Sequence, residues 1–140
     1  MLVVELLGTN QTPITRRQIM SIVRYTARAA RGKKIEIRIV ADQAIKKFNK
    51  LFRNKNKPTD VLSFAWGEAL PLINEELLGT LIIAPRYIKR QASEWQVSWK
   101  EEFTRSLAHG LLHLLGADHT TKPEAKKMFN RQEKIVARFK

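Results

Sequence analysis

The chain opens on a short apolar run, Val3 to Leu7, which predicts a first strand. Thr12-Pro13 then opens a helical stretch in which Ile19, Ile22, Val23, Thr26, Ala27 and Ala30 recur at helical spacing until Gly32. Ile35, Ile37 and Ile39 alternate with Lys34, Glu36 and Arg38, the period-two pattern of a half-exposed strand, expected at or near a sheet edge. Asp42 is placed to cap a second helix with Ala44, Ile45, Phe48, Leu51 and Phe52 inward, ended by the polar run from Arg53 to Thr59. Val61 to Trp66 is apolar at nearly every position and is expected to be a strand buried on both faces.

Residues 67–77, with Gly67, Pro71 and three glutamates, predict a loop. Leu78 to Ile83 forms a fourth strand, and Pro85 suits the first turn of a helix through about Ser93. Ser98-x-x-Glu101 and Thr121-x-x-Glu124 both match the reciprocal capping box and start the last two helices. The first of these runs from Trp99 through Leu115 and stops at Gly116. The second places Ala125, Met128, Phe129, Ile135, Val136 and Phe139 on one face. This order predicts an α+β fold: a single domain over residues 1–140, with about four strands and about five helices.

Composition narrows the chemistry. A chain of 140 residues buries a sufficient core without a staple, so a metal it holds is expected to be functional. The absence of cysteine removes disulfides, thiolate zinc sites and thiol nucleophiles, leaving His, Asp and Glu as strong ligands. The N-terminus lacks a basic leader region, and no run has the apolar length to span a bilayer, so a soluble cytoplasmic protein with no membrane partner is expected. A formal charge of +13 favours polyanionic partners. Residues 1–60 hold 14 Lys/Arg against 4 Asp/Glu, and the remainder 12 against 9, so the first half is expected to contribute most to binding them.

All three histidines fall within the eleven residues His109 to His119. His109 and His113 stand at i and i+4 on one helix face, and Gly116 lets the chain turn back so that His119 can meet them. The spacing H-x3-H-x2-G-x2-H is that of metzincin-type zinc proteases, and three neutral imidazoles with an open fourth position describe a catalytic zinc site. The glutamate base of those proteases is replaced by Gly110, which argues against the usual route of peptide hydrolysis. Zinc by itself lowers the pKa of bound water to about 7, so a hydrolytic nucleophile does not require that base.

The run His109-Gly110-Leu111-Leu112-His113-Leu114-Leu115-Gly116-Ala117-Asp118-His119, together with Phe52-Arg53, Pro58-Thr59-Asp60-Val61-Leu62-Ser63-Phe64 and Leu78-Gly79, closely resembles the YbeY family of bacterial endoribonucleases. The resemblance implies a mixed sheet flanked by helices and a metal-dependent, single-strand-specific endoribonuclease of small-subunit (16S) ribosomal RNA maturation and ribosome quality control. It implies one Zn2+ per chain on His109, His113 and His119, with Arg53 and His113 as catalytic residues. Arg53 would contact phosphate, to which its bidentate geometry is suited. Ribosomal RNA is the implied partner, with a small-subunit ribosomal protein and an assembly GTPase beside it. The chain departs from the family at Thr80, where Asp is usual, and at Ala117, where Tyr is usual; Thr80 is expected to weaken a polar contact near the site.

Lys55 and Lys57 would add electrostatic attraction for RNA without specificity. Asp118 is expected either to orient a ligand imidazole or to shape the turn after Gly116. Asp60 is expected to be a structural acceptor, and Trp66, Trp95 and Trp99 to be core residues although each could stack on a base. Two other functions fit the pattern less well: a metalloprotease-like amide hydrolase, and a non-catalytic RNA or ribosome-assembly factor whose metal fixes the C-terminal turn.

Overall fold

The computed structural model describes residues 3–28, 30, 33–65 and 77–140. The chain runs β1 (Val3–Leu7), α1 (Arg16–Thr26), β2 (Lys34–Ile39), α2 (Asp42–Arg53), β3 (Val61–Ala65), β4 (Leu77–Ile83), α3 (Pro85–Glu94), α4 (Trp99–Leu114) and α5 (Lys122–Arg138). The four strands form a mixed sheet in the order β1-β2-β4-β3, with β3 antiparallel to β4 and the other pairs parallel. The fold is α+β as expected.

The alternation of a strand reports how its two faces are covered, and not its position in the sheet. β2 is therefore paired on both sides although its Arg38 face is open; it lies one strand in from the edge, near it as expected but not at it. β3, expected to be buried on both faces, is the edge strand and only Leu62 in it is fully buried. β4 carries the continuous buried run, from Gly79 to Ile83, because helices cover it on both sides.

One face of the sheet packs against α1 and α4. Ile35, Ile37, Leu81 and Ile83 there meet Ile19, Ile22, Phe103, Leu107 and Leu111 in one large cluster. Burying each such side chain contributes about 1.5–3 kcal/mol. The opposite face meets α2 through a smaller cluster of Ile45, Leu62, Ile82 and Ala84. Thr80 lies in register between Glu36 and Phe64, one residue out of phase with Leu81, so it faces this α2 side and not α4.

Local chemistry moves several boundaries. α1 begins at Arg16, later than Thr12-Pro13 suggests, because Thr15 and Gln18 form a reciprocal capping box. α2 has Ala41 as N-cap; Asp42 is its first residue and is ion-paired with Arg90 instead of capping. Leu51 and Phe52, expected inward, are exposed at 75% and 58%, since the last turn of α2 runs past the sheet edge. The Phe52 ring packs on the rings of Phe48 and Phe64. Ser98 and Thr121 cap α4 and α5 by accepting from Glu101 and Glu124 backbone N–H groups, but neither box is reciprocal: Glu101 pairs with Arg105 and Lys140, and Glu124 accepts from Thr120. Phe129 is exposed and Gln132 is buried in its place on the inner face of α5. Gly32, Trp66 and most of the loop expected over 67–77 lie outside the described residues.

Candidate metal centre and its cavity

α4 carries two imidazoles on one face, and its C-terminal turn delivers the third. Leu115 closes the helix and Gly116 takes φ +96°, a conformation that costs glycine nothing. The Gly116 N–H then donates to His113 O and the Ala117 N–H to Leu112 O, the paired bonds of a Schellman motif. Ala117, partly buried against the core, follows directly, and the chain reverses toward α4. The result brings the ligating nitrogens of His109, His113 and His119 within 4.8 Å of one another.

The imidazoles are aimed by neighbours. Nδ1 of His109 lies 2.9 Å from Oε1 of Gln132 on α5. An amide oxygen can only accept, so Nδ1 carries the proton and Nε2 presents its lone pair to the centre of the cluster. Gln132 is itself oriented by donating to Glu133 at 3.1 Å. Nε2 of His113 stands 3.2 Å from Nε2 of His109. Two nitrogens bound at ~2.0–2.1 Å to one tetrahedral zinc stand ~3.3 Å apart, so this pair fits the ion with almost no movement. Burial pushes the His113 pKa down, and the adjacent His109 and His119 rings push the same way against a hydrogen bond with the Ala117 backbone. His113 is therefore neutral at neutral pH, the form a metal binds.

A polar network supports the cluster from below. Arg105 makes a two-pronged contact with Glu133, both bonds at 3.0 Å, and a further bond to the fully buried Glu102 at 2.9 Å. Glu102 also accepts from Gln91 on α3 at 2.9 Å. The hydrogen bond from Arg105 holds the Glu133 carboxyl below the usual carboxylate range. These bonds tie α3, α4 and α5 together directly beneath His109.

The histidines line an open cavity of about 800 Å³. Arg53, Lys55 and Lys57 line it too, so the basic segment at the end of α2 and the histidine turn meet at one cavity although more than fifty residues separate Arg53 from His109. Arg53 is exposed, donates one bond to Ser63 O at 3.2 Å, and sits over the Phe64 ring at 6.0 Å. Asp118 accepts from the His119 backbone N–H at 2.7 Å, so its carboxylate is engaged in the turn. Asp60 accepts from Val61 N–H, Thr59 and Ser106, which fastens the start of β3 to α4. Thr80, on the far face of the sheet, does not line the cavity.

Gly110 explains the missing glutamate. A Cβ at this position would lie 2.5 Å from Leu81 Cδ1, 3.0 Å from Val61 Cγ2 and 3.1 Å from Ser63 Oγ, so α4 rests on the sheet at this residue. Any side chain here would have to push Leu81 aside and crowd Val61 and Ser63. Sequence reasoning missed Gln132, whose signal is a polar residue at i+4 from Met128 within the buried stripe of α5. It also misassigned Trp95, which is exposed at 61% and lines the cavity, whereas Trp99 is half-buried and donates to Pro85 O.

The family profile described as Endoribonuclease YbeY matches residues 8–140. A protein of Persephonella marina named Endoribonuclease YbeY is 44% identical over 102 residues, 72% of this chain and 67% of that protein. One of Bacillus cereus with the same name is 33% identical over 144 aligned positions, 93% of this chain and 92% of the relative. A Thermotoga maritima protein solved in solution superposes with a TM-score of 0.69 at 27% identity, covering 98% of this chain and 89% of its own. Among the described residues no helix is long and apolar enough to cross a membrane.

Proposed function

Because the chain belongs to the YbeY family, we propose that it is a zinc-dependent, single-strand-specific endoribonuclease acting on small-subunit ribosomal RNA. The observation that carries this reading is the convergence of three imidazoles in the cavity that Arg53, Lys55 and Lys57 also line. A zinc ion on His109, His113 and His119 would supply Lewis acidity and a hydrolytic nucleophile at neutral pH. The chain's own residues do the rest. Arg53 spends one of its five N–H donors on Ser63 O and keeps others for a phosphate, where a bidentate contact offsets charge developing on the oxygens. Lys55 and Lys57 hold the strand by charge. Gln132 and the Ala117 backbone keep two imidazoles aimed. The same reading puts the enzyme in the cytoplasm on ribosomal RNA, with a small-subunit ribosomal protein and an assembly GTPase as partners.

The amide-hydrolase alternative is disfavoured because Gly110 supplies no carboxylate base where the protease motif has one. The test is metal content of the purified protein beside His113→Ala, followed by cleavage of single-stranded RNA with and without chelator. About one zinc per chain, lost in the variant together with cleavage, is the expected result. A folded wild-type protein that carries no zinc, or cleavage that survives chelation, would overturn the metal reading. Zinc binding without cleavage, together with normal ribosomal RNA processing in cells carrying His113→Ala, would favour an assembly factor. Products lacking 2′,3′-cyclic phosphate ends would identify water, and not the internal 2′-hydroxyl, as nucleophile.

A further inference from the structure

Trp95 directly follows α3, and a large aromatic ring left 61% exposed forgoes much of the stabilisation its burial would bring. Trp99, four residues later, has its ring covered by Lys89 at 4.7 Å and its indole N–H satisfied by Pro85 O. Trp95 takes part in no hydrogen bond, ring contact or cation–π contact of its side chain among the described residues. Its backbone is nonetheless tightly held. The Trp95 N–H donates to Gln91 O, Gln96 adopts φ +55° with its N–H on Ser93 O, and Val97 N–H returns to Ala92 O. The backbone that carries the ring is thus fixed, so binding has only its two side-chain torsions to order.

Its position relates it to the histidines. Gln91, one helical turn before Trp95, is bonded to Glu102, and Glu102, Ser106, His109 and His113 form one stripe along α4 that lines the cavity. Glu102 and His109 are seven residues apart, about 10 Å along the helix axis. Trp95 also lines this cavity, together with the imidazoles and the basic segment at Arg53. A flat apolar ring set among charged and polar groups suits a ligand that is itself flat on its faces and anionic along its backbone.

We propose that Trp95 is a stacking platform for one unpaired base of the bound RNA, in the cavity that Arg53 also lines. This inference rests on the ribonuclease reading and deepens it by assigning a base subsite. A base within a duplex already has both faces stacked, so the subsite would also favour single strands over paired ones.

The test is equilibrium binding of the zinc-loaded full chain to a fluorescent single-stranded RNA whose phosphorothioate linkages resist cleavage, and to a set of the same strands each with one abasic position. Trp95→Ala is expected to weaken binding roughly five- to hundred-fold, and Trp95→Phe to keep most of the affinity. One abasic position should weaken binding to the wild type while making no difference to Trp95→Ala, a coupling that a merely structural role would not produce. Equal binding by wild type and Trp95→Ala, or the same abasic penalty in both, would overturn this subsite alone. A wild type that binds no single-stranded RNA would overturn the ribonuclease reading along with it.

Discussion

Nδ1 of His109 on α4 lies 2.9 Å from Oε1 of Gln132 on α5, a hydrogen bond that spans twenty-three residues of sequence and fixes which nitrogen of the imidazole faces the other two histidines. Without it the ring could rotate or exchange tautomers, and part of the metal-binding energy would go into ordering it. Gln132→Ala is therefore expected to weaken zinc affinity about ten- to hundred-fold, measured by competition with a chromogenic chelator. Unchanged affinity would show that α4 packing alone orients His109.

Arg53 is expected to act on substrate and not on metal. Arg53→Ala should lower kcat/KM for single-stranded RNA about ten- to hundred-fold, the value of a charge-assisted bond to phosphate, with zinc content unchanged. Lysine should restore only part of this, because a point charge cannot make the two-pronged contact. Full activity in Arg53→Lys would reduce the role of Arg53 to general attraction.

At Gly110 the helix touches the sheet. Gly110→Ala must displace Leu81 and Val61, and should cost about 1–3 kcal/mol in denaturant unfolding of the metal-free protein. Gly110→Glu, which restores the protease motif on paper, should be still less stable and gain no peptidase activity. Stability within error of wild type for Gly110→Ala would mean that the close approach relaxes freely.

Glu133 links pH to stability. Its folded pKa is depressed below 4.5, chiefly by the hydrogen bond from Arg105. The stability it adds is accordingly present above the unfolded value and lost as pH falls through the folded one. Glu133→Gln should lower the stability of the metal-free protein near pH 7 by no more than about 1 kcal/mol, given the partial exposure of the pair, and the gap from wild type should close in acid. A gap that stayed constant from neutral to acid pH would assign the effect to packing.

Much of the local structure was legible because it depends on near neighbours. The i, i+4 spacing of His109 and His113, the turn glycine at position 116 and the proline at the head of α3 are short-range signals, and all three reappear in place. The errors fall where burial depends on what a segment meets. Leu51 and Phe52 have the helical spacing of core residues but extend past the sheet edge, and Phe129 shares the apolar stripe of α5 yet points outward. β3, read as buried on both faces, is the edge strand, because an apolar run does not report strand order.

By itself, then, the sequence determined the kinds of element, their order and the histidine triad, since each is encoded in backbone preferences and spacings within a few residues. Only the tertiary structure decided which distant groups meet. It set Gln132 against His109, brought the basic segment at Arg53 into the wall of the histidine cavity, turned Thr80 to the opposite face of the sheet and left Trp95 uncovered. Those outcomes follow from how α3, α4 and α5 pack on the sheet, and packing between segments far apart in the chain leaves no period in the sequence from which to read it.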